Sequence, residues 1–163
     1  MNAFTQLTTI ASLSAGFIGF IALFVVLTDK DVEFSKADVL FIRMLVLAML
    51  GALICSLLPG TLSLLMKQHY WSVAAAISVL VVLPGLILTI RHHLQLRRNS
   101  TDGSQTVWHI ASYYTSISGL ILFCVVPFIN ELQAGLFVLA VLAFFLTGVW
   151  AFVAMLFRRV LPT

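Results

Sequence analysis

Residues 108–119 read WHIASYYTSISG, and how this stretch is read decides what kind of object the chain is. It opens an apolar run that continues to about Ile129, yet it holds a histidine, two tyrosines, three serines and a threonine. A run of that length as a helix, at about 1.5 Å per residue, crosses a hydrocarbon core of about 30 Å. Polar groups at such depth cost free energy unless they find partners or line a wet cavity. The stretch is therefore both a membrane span and the first place to look for function.

Four more apolar runs flank it, at Phe4–Leu27, Val39–Met66, Tyr70–Ile90 and Leu132–Phe157. Of the 163 residues, 61% are apolar and only 9% charged. Soluble domains carry about 25% charged residues, so this chain lacks the means to cover a water-facing surface. The expected fold is all-α, a polytopic integral membrane protein: one membrane domain over 1–163, a bundle of five transmembrane helices. The spans fall at about 4–27, 39–66, 70–90, 107–129 and 132–157, with a charged loop at 28–38 and a basic loop at 91–106. The first run does not read as a secretory signal, because residues 1–5 hold no Lys or Arg and no small-residue cleavage site follows a short apolar core. In the charged loop, Ser35 followed by Asp38 reads as a helix start, the hydroxyl capping free N–H groups and the carboxylate suiting the positive helix end.

The net charge of +3 invites a nucleic-acid reading, but the cations sit at the ends of apolar runs. That is the pattern of membrane orientation, and no nucleic-acid partner is expected. Lys30, Lys36, Arg91, Arg97, Arg98, Arg158 and Arg159 fall on one side of a five-span chain, and only Lys67 falls on the other. By the positive-inside rule the N-terminus is outside and the C-terminus cytoplasmic. Tyr70-Trp71 reads as an interfacial aromatic anchor.

Small residues recur at helical spacing and read as helix-packing faces. Ser12, Gly16 and Gly19 form one in the first span; Ala48 and Ala52, continued by Cys55 and Pro59, form one in the second; Ala143, Thr147 and Ala151 form one in the fifth. Pro59, Pro84 and Pro127 are expected kinks. Cys55 and Cys124 make no CxxC pair and read as packing residues. Arg43, one turn inside the second span, is expected to run its stem back to the headgroups, with a buried partner as the lesser alternative.

At 100° per residue, His109, Ser112, Tyr113 and Ser116 share about a third of the fourth helix's circumference. Phe123, Cys124 and Pro127 continue that face, and Ile110, Ile117 and Ile121 lie opposite. Tyr114, Thr115 and Ser118 point elsewhere. Arg43 starts at the same level, so Arg43, His109 and Tyr113 can form one neighbourhood. Three readings of the face stand. In the leading one, its polar groups hydrogen-bond to neighbouring helices, each contributing roughly 0.6 to 2 kcal/mol. In the second, the face lines a cytoplasm-facing pathway for an ion, proton or small solute, with His109 titrating. In the third, His109 ligates haem or a metal together with His92 or His93; the expectation is no cofactor and no metal.

Enzymatic chemistry has little to work with. Apart from Asp38 and Glu131 no carboxylate lies near a span, and paired carboxylates, a Ser/His/Asp set and a HExxH motif are all absent from the sequence. The segments ASLSAGFIGF, FIRMLVLAMLGALICSLLP and YWSVAAAISV, within residues 11–80, resemble small multispan bacterial inner-membrane proteins, through Arg43, Leu58-Pro59 and Trp71. That resemblance implies a prokaryotic inner membrane and no activity. The functional expectation is a non-enzymatic protein, a homo-oligomer or an accessory component beside other membrane subunits in the lipid bilayer. The alternative is a small channel or carrier along the fourth helix.

Overall fold

Inside a bilayer the backbone has no water to bond to, so an apolar run meets its N–H and C=O requirements by closing into a helix. The computed structural model describes residues 2–27, 36–99 and 106–160, with side chains described for 2–24, 38–91, 94 and 112–157. These residues form five α-helices: α1 (Ala3–Leu27), α2 (Lys36–Leu65), α3 (Tyr70–Asn99), α4 (Thr106–Val125) and α5 (Gln133–Val160). Among the described residues there is no strand. Four helical segments, Ala3–Phe24, Asp38–Leu65, Tyr70–Arg91 and Asn130–Phe157, are long and apolar enough to cross a membrane. In α4, which begins at Thr106, the apolar stretch among residues with described side chains is Ser112–Phe128.

Two boundaries, the ends of α3 and α4, differ from those read in the sequence, whereas the start of α2 agrees. Helix α3 runs through Asn99, so residues 91–99 of the expected basic loop are helical. No Pro or Gly interrupts Leu86–Arg98, Leu, Gln and Arg are good helix formers, and cations at a helix C-terminus meet its negative end. Helix α2 begins at Lys36, with Asp38 in its first turn; Ser35, the expected cap, lies outside the described residues. Helix α4 stops at Val125, and Pro127 sits in a 3₁₀ turn, Val126–Phe128, rather than kinking a longer helix. A proline ring clashes with the carbonyl four residues back and brings no N–H, so α4 has no means of continuing there without a break. Pro59 and Pro84 both lie inside uninterrupted helices.

The helices run up and down. Leu7 and Ile10 of α1 pack in one buried cluster with Ala52 and Cys55 of α2, while Ile21 packs in another with Leu40 and Met44, so the two are antiparallel. Helix α5 is central and touches each of the other four. Its first half joins a cluster with Ala74, Ala75, Phe123 and Val126; its second half, through Ala151, Ala154 and Met155, joins the cluster around Met49. At the end where α1, α3 and α5 begin, rings pack in series. Phe4 lies 5.5 Å from Trp71, Trp71 5.5 Å from Phe137, Phe137 5.1 Å from Phe123 and Phe123 5.8 Å from Phe144.

Helix contacts close to backbone distance occur where glycine removes a side chain. A Cβ at Gly119 of α4 would stand 3.0 Å from the Phe144 ring and 3.1 Å from both Ala140 O and Ala143 Cβ. At Gly148 of α5 it would stand 2.6 Å from the Met49 methyl of α2. Small residues let α5 sit this close to both partners.

Candidate functional site

On α4 the residues that turn inward are Ser112, Ser116, Gly119 and Phe123, all buried and spaced by four, three and four. Tyr113 and Thr115 flank this line and are half-buried; Tyr114, Ile117, Ser118 and Ile121 are exposed. The inward line faces the small-residue side of α5, where Thr147 is buried. Thr147 Oγ1 donates to the Ala143 carbonyl at 2.9 Å, four residues back on its own helix. It accepts from Ser116 at 3.2 Å and lies 3.0 Å from Thr115 Oγ1. A threonine hydroxyl has one proton and two lone pairs, so with its proton on Ala143 it takes a bond from each of the other two. Ser116 and Thr115 also lie 2.9 and 3.0 Å from the Ser112 carbonyl, a second acceptor for either proton. On the other flank, Tyr113 donates to the Thr89 carbonyl of α3 at 3.4 Å, and the Thr89 hydroxyl donates to the Gly85 carbonyl at 2.8 Å.

A cleft of about 260 Å³ lies beside this cluster, bounded by α2, α3, α4 and α5. Its polar wall is Thr89, Tyr113, Ser116 and Thr147; the rest is apolar, including Met44, Ala48, Gly51, Val82 and Phe144. At its mouth Leu47, Leu50 and Ile54 of α2 and Val81 of α3 keep 38–43% of their surface exposed. The cleft thus opens sideways, between α2 and α3. Past Ser116 the inward face of α4 is closed by Gly119 against α5 and by Phe123, which is 1% exposed.

The other residues singled out from the sequence fall as follows. Arg43 is exposed and is not among the residues bounding the cleft. His109 is part of α4, but its side chain, like those of His92 and His93, lies outside the described residues. Ala48, Ala52, Cys55 and Pro59 are buried, as are Thr147 and Ala151; Ala143 is half-buried. Cys124 and Pro127 are exposed instead of continuing the inward face, because the line of contact with α5 drifts from Ser116 through Gly119 to Phe123. Thr115 turns inward far enough to reach Thr147, contrary to the expectation that it points elsewhere. Ser12, Gly16 and Gly19 lie on the exposed side of α1, and a Cβ at either glycine would meet nothing within 4 Å. With Leu13, Phe17, Phe20 and Phe152, Ser12 and Gly16 border an open groove of about 430 Å³.

Among the described residues no three His, Cys, Asp or Glu side chains gather as a metal site. Thr89, Gly119 and Gly148 were not singled out by sequence reasoning. Gly119 had a signal, since Ser112, Ser116 and Gly119 fall on one helical line of small residues; Thr89, just ahead of the basic segment, had none. The class defined by fold and site is an all-helical bundle with several helices of membrane-crossing length and an internal hydroxyl cluster. Comparison with protein families, curated proteins and solved structures returned no match.

Proposed function

We propose that this chain is a non-enzymatic multispan protein of a prokaryotic inner membrane, with five spans, N-terminus outside and C-terminus cytoplasmic, acting as a homo-oligomer or as an accessory subunit of a membrane complex. The observation that carries this reading is how the polar face of α4 is used. Ser116 and Thr115 bond to Thr147 of α5, and Tyr113 bonds to the Thr89 carbonyl of α3. Hydroxyls engaged in this way join helices, and Phe123 with the Gly119 contact closes the face beyond them. The outward groove on α1 supports the association part of the reading. Gly16 lets a neighbouring helix come close there, and a Cβ at that position would meet nothing within 4 Å.

Two experiments test it together. Protein in liposomes is expected to pass no ions or small solutes above empty vesicles, with Ser116→Leu and His109→Ala altering thermal stability only. Cross-linking in native membranes is expected to give a discrete higher-mass species that Gly16→Leu removes while the Tm of the isolated chain stays unchanged. Flux abolished by Ser116→Leu and His109→Ala would instead support a channel or carrier, the second reading, which the cleft beside Tyr113 and Ser116 favours.

A further inference from the structure

The sideways cleft is not used by the helix-joining reading, and its shape is specific. Along α2 it runs from Met44 to Ile54, about 15 Å of axis at about 1.5 Å per residue, the depth of one leaflet of a core about 30 Å thick. Its polar groups are graded. Thr89 and Tyr113 stand toward the end where α2 begins, whereas Ile54 and Val81, at the other end, are apolar. An amphiphile in the leaflet at that end has the same polarity, polar part near the surface and chain toward the midplane. At about 260 Å³ the cleft lies just under the usual range of ligand pockets, roughly 300–1,000 Å³, so it suits one chain and not two.

Two further features fit an occupant that enters from lipid. Gly85 borders the cleft, and a Cβ there would meet nothing within 4 Å, so the space in front of it is open. Tyr113 stands in the polar wall of the cleft beside Thr89, so a carbonyl or carboxyl oxygen brought to that end comes within reach of its hydroxyl. We infer that this cleft binds a single acyl chain entering between α2 and α3, with its carbonyl or carboxyl end at Tyr113. The inference rests on the chain being embedded in a bilayer and on neither the accessory nor the carrier reading.

The test is photo-labelling in phosphatidylethanolamine/phosphatidylglycerol vesicles with two probes, each bearing a diazirine on its chain: palmitic acid and a phosphatidylethanolamine. Adducts are mapped by peptide mass spectrometry. Val82 and Phe144 are buried at the cleft, whereas Leu139 and Leu146 of α5 are exposed and report ordinary lipid contact. The expected result is labelling of Val82 or Phe144 that an excess of the same unlabelled lipid suppresses and that Gly85→Leu abolishes, with labelling at Leu139 and Leu146 unchanged. Labelling by the phosphatidylethanolamine probe assigns the chain to a bilayer lipid; labelling by palmitic acid alone assigns it to a free acid. Adducts confined to exposed residues overturn the proposal, as does cleft labelling that excess lipid does not suppress. Absence of label at Leu139 and Leu146 would contradict the membrane reading itself, which keeps the two failures apart.

Discussion

Ser116 of α4 donates to Thr147 Oγ1 of α5 across 3.2 Å, and Thr115 reaches the same oxygen at 3.0 Å. One hydroxyl on the central helix thus serves two on its neighbour, while its own proton goes to Ala143.

Thr147→Val keeps the shape and removes the acceptor. Interhelical hydrogen bonds in membranes average about 0.6 kcal/mol with a maximum of about 1.7, so losing two is expected to cost about 1–2 kcal/mol. Ser116→Ala is expected to cost less, because Thr115 keeps its bond. A double-mutant cycle on Ser116→Ala and Thr147→Val, read by reversible unfolding in mixed micelles, should give a coupling of about 0.6 kcal/mol. A coupling of zero would remove this bond from the list of contacts that hold α4 to α5.

Gly119 and Gly85 are both helical glycines, yet their surroundings differ. Gly119 faces Ala140 O and the Phe144 ring at about van der Waals contact or closer, whereas Gly85 faces open space. Gly119→Leu should therefore overpack the α4–α5 contact and cost about 1–3 kcal/mol or more. Gly85→Leu should leave the unfolding midpoint unchanged or raise it, since leucine is the better helix former. Equal losses from the two variants would contradict the packing described.

Ser14 of α1 is fully buried, and its hydroxyl has no hydrogen-bond partner among the described residues. A buried unsatisfied polar group costs about 1–3 kcal/mol, so Ser14→Ala is expected to stabilise the protein by about 1 kcal/mol. A loss of stability of similar size in the same unfolding assay would indicate an acceptor for that hydroxyl in the native protein.

His69 closes the turn between α2 and α3 with φ at 60°. Left-handed backbone costs an L-residue roughly 1–2 kcal/mol, which glycine avoids while losing some unfolded-state freedom. His69→Gly should accordingly be neutral or stabilising by up to about 1 kcal/mol, and His69→Val destabilising, by thermal melts of the two variants side by side.

Much of this architecture is legible in the chain. Composition and run length give helices long and apolar enough for a membrane, and the 100° step places Ser112 and Ser116 on one side of α4. The charge of residues 91–99 suggests a loop, but helix-favouring residues carry α3 on to Asn99. Pro127 suggests a kink from the sequence, but a proline so near a run's end stops the helix, and α4 ends at Val125. The α1 stripe showed the reverse limit. Spacing identifies a face of small residues but cannot say whether the neighbour belongs to the same chain, and Gly16 and Gly19 turn out to face away from it. Nor can a one-dimensional pattern reveal that Thr115 shares Thr147 with Ser116, since that depends on how α4 rolls against α5.

On the proposed function, the hydroxyl face of α4 joins helices instead of lining a water-filled path. The most direct test is solvent access at Ser116, using Ser116→Cys in a chain whose Cys55 and Cys124 are replaced by alanine. In intact vesicles a membrane-impermeant maleimide should leave this cysteine unmodified from either side, yet modify it fully once detergent unfolds the protein. A Gln68→Cys control in the exposed α2–α3 turn should react at once from one side. Modification of Ser116→Cys in intact vesicles, at a rate near that of the control, would contradict that role.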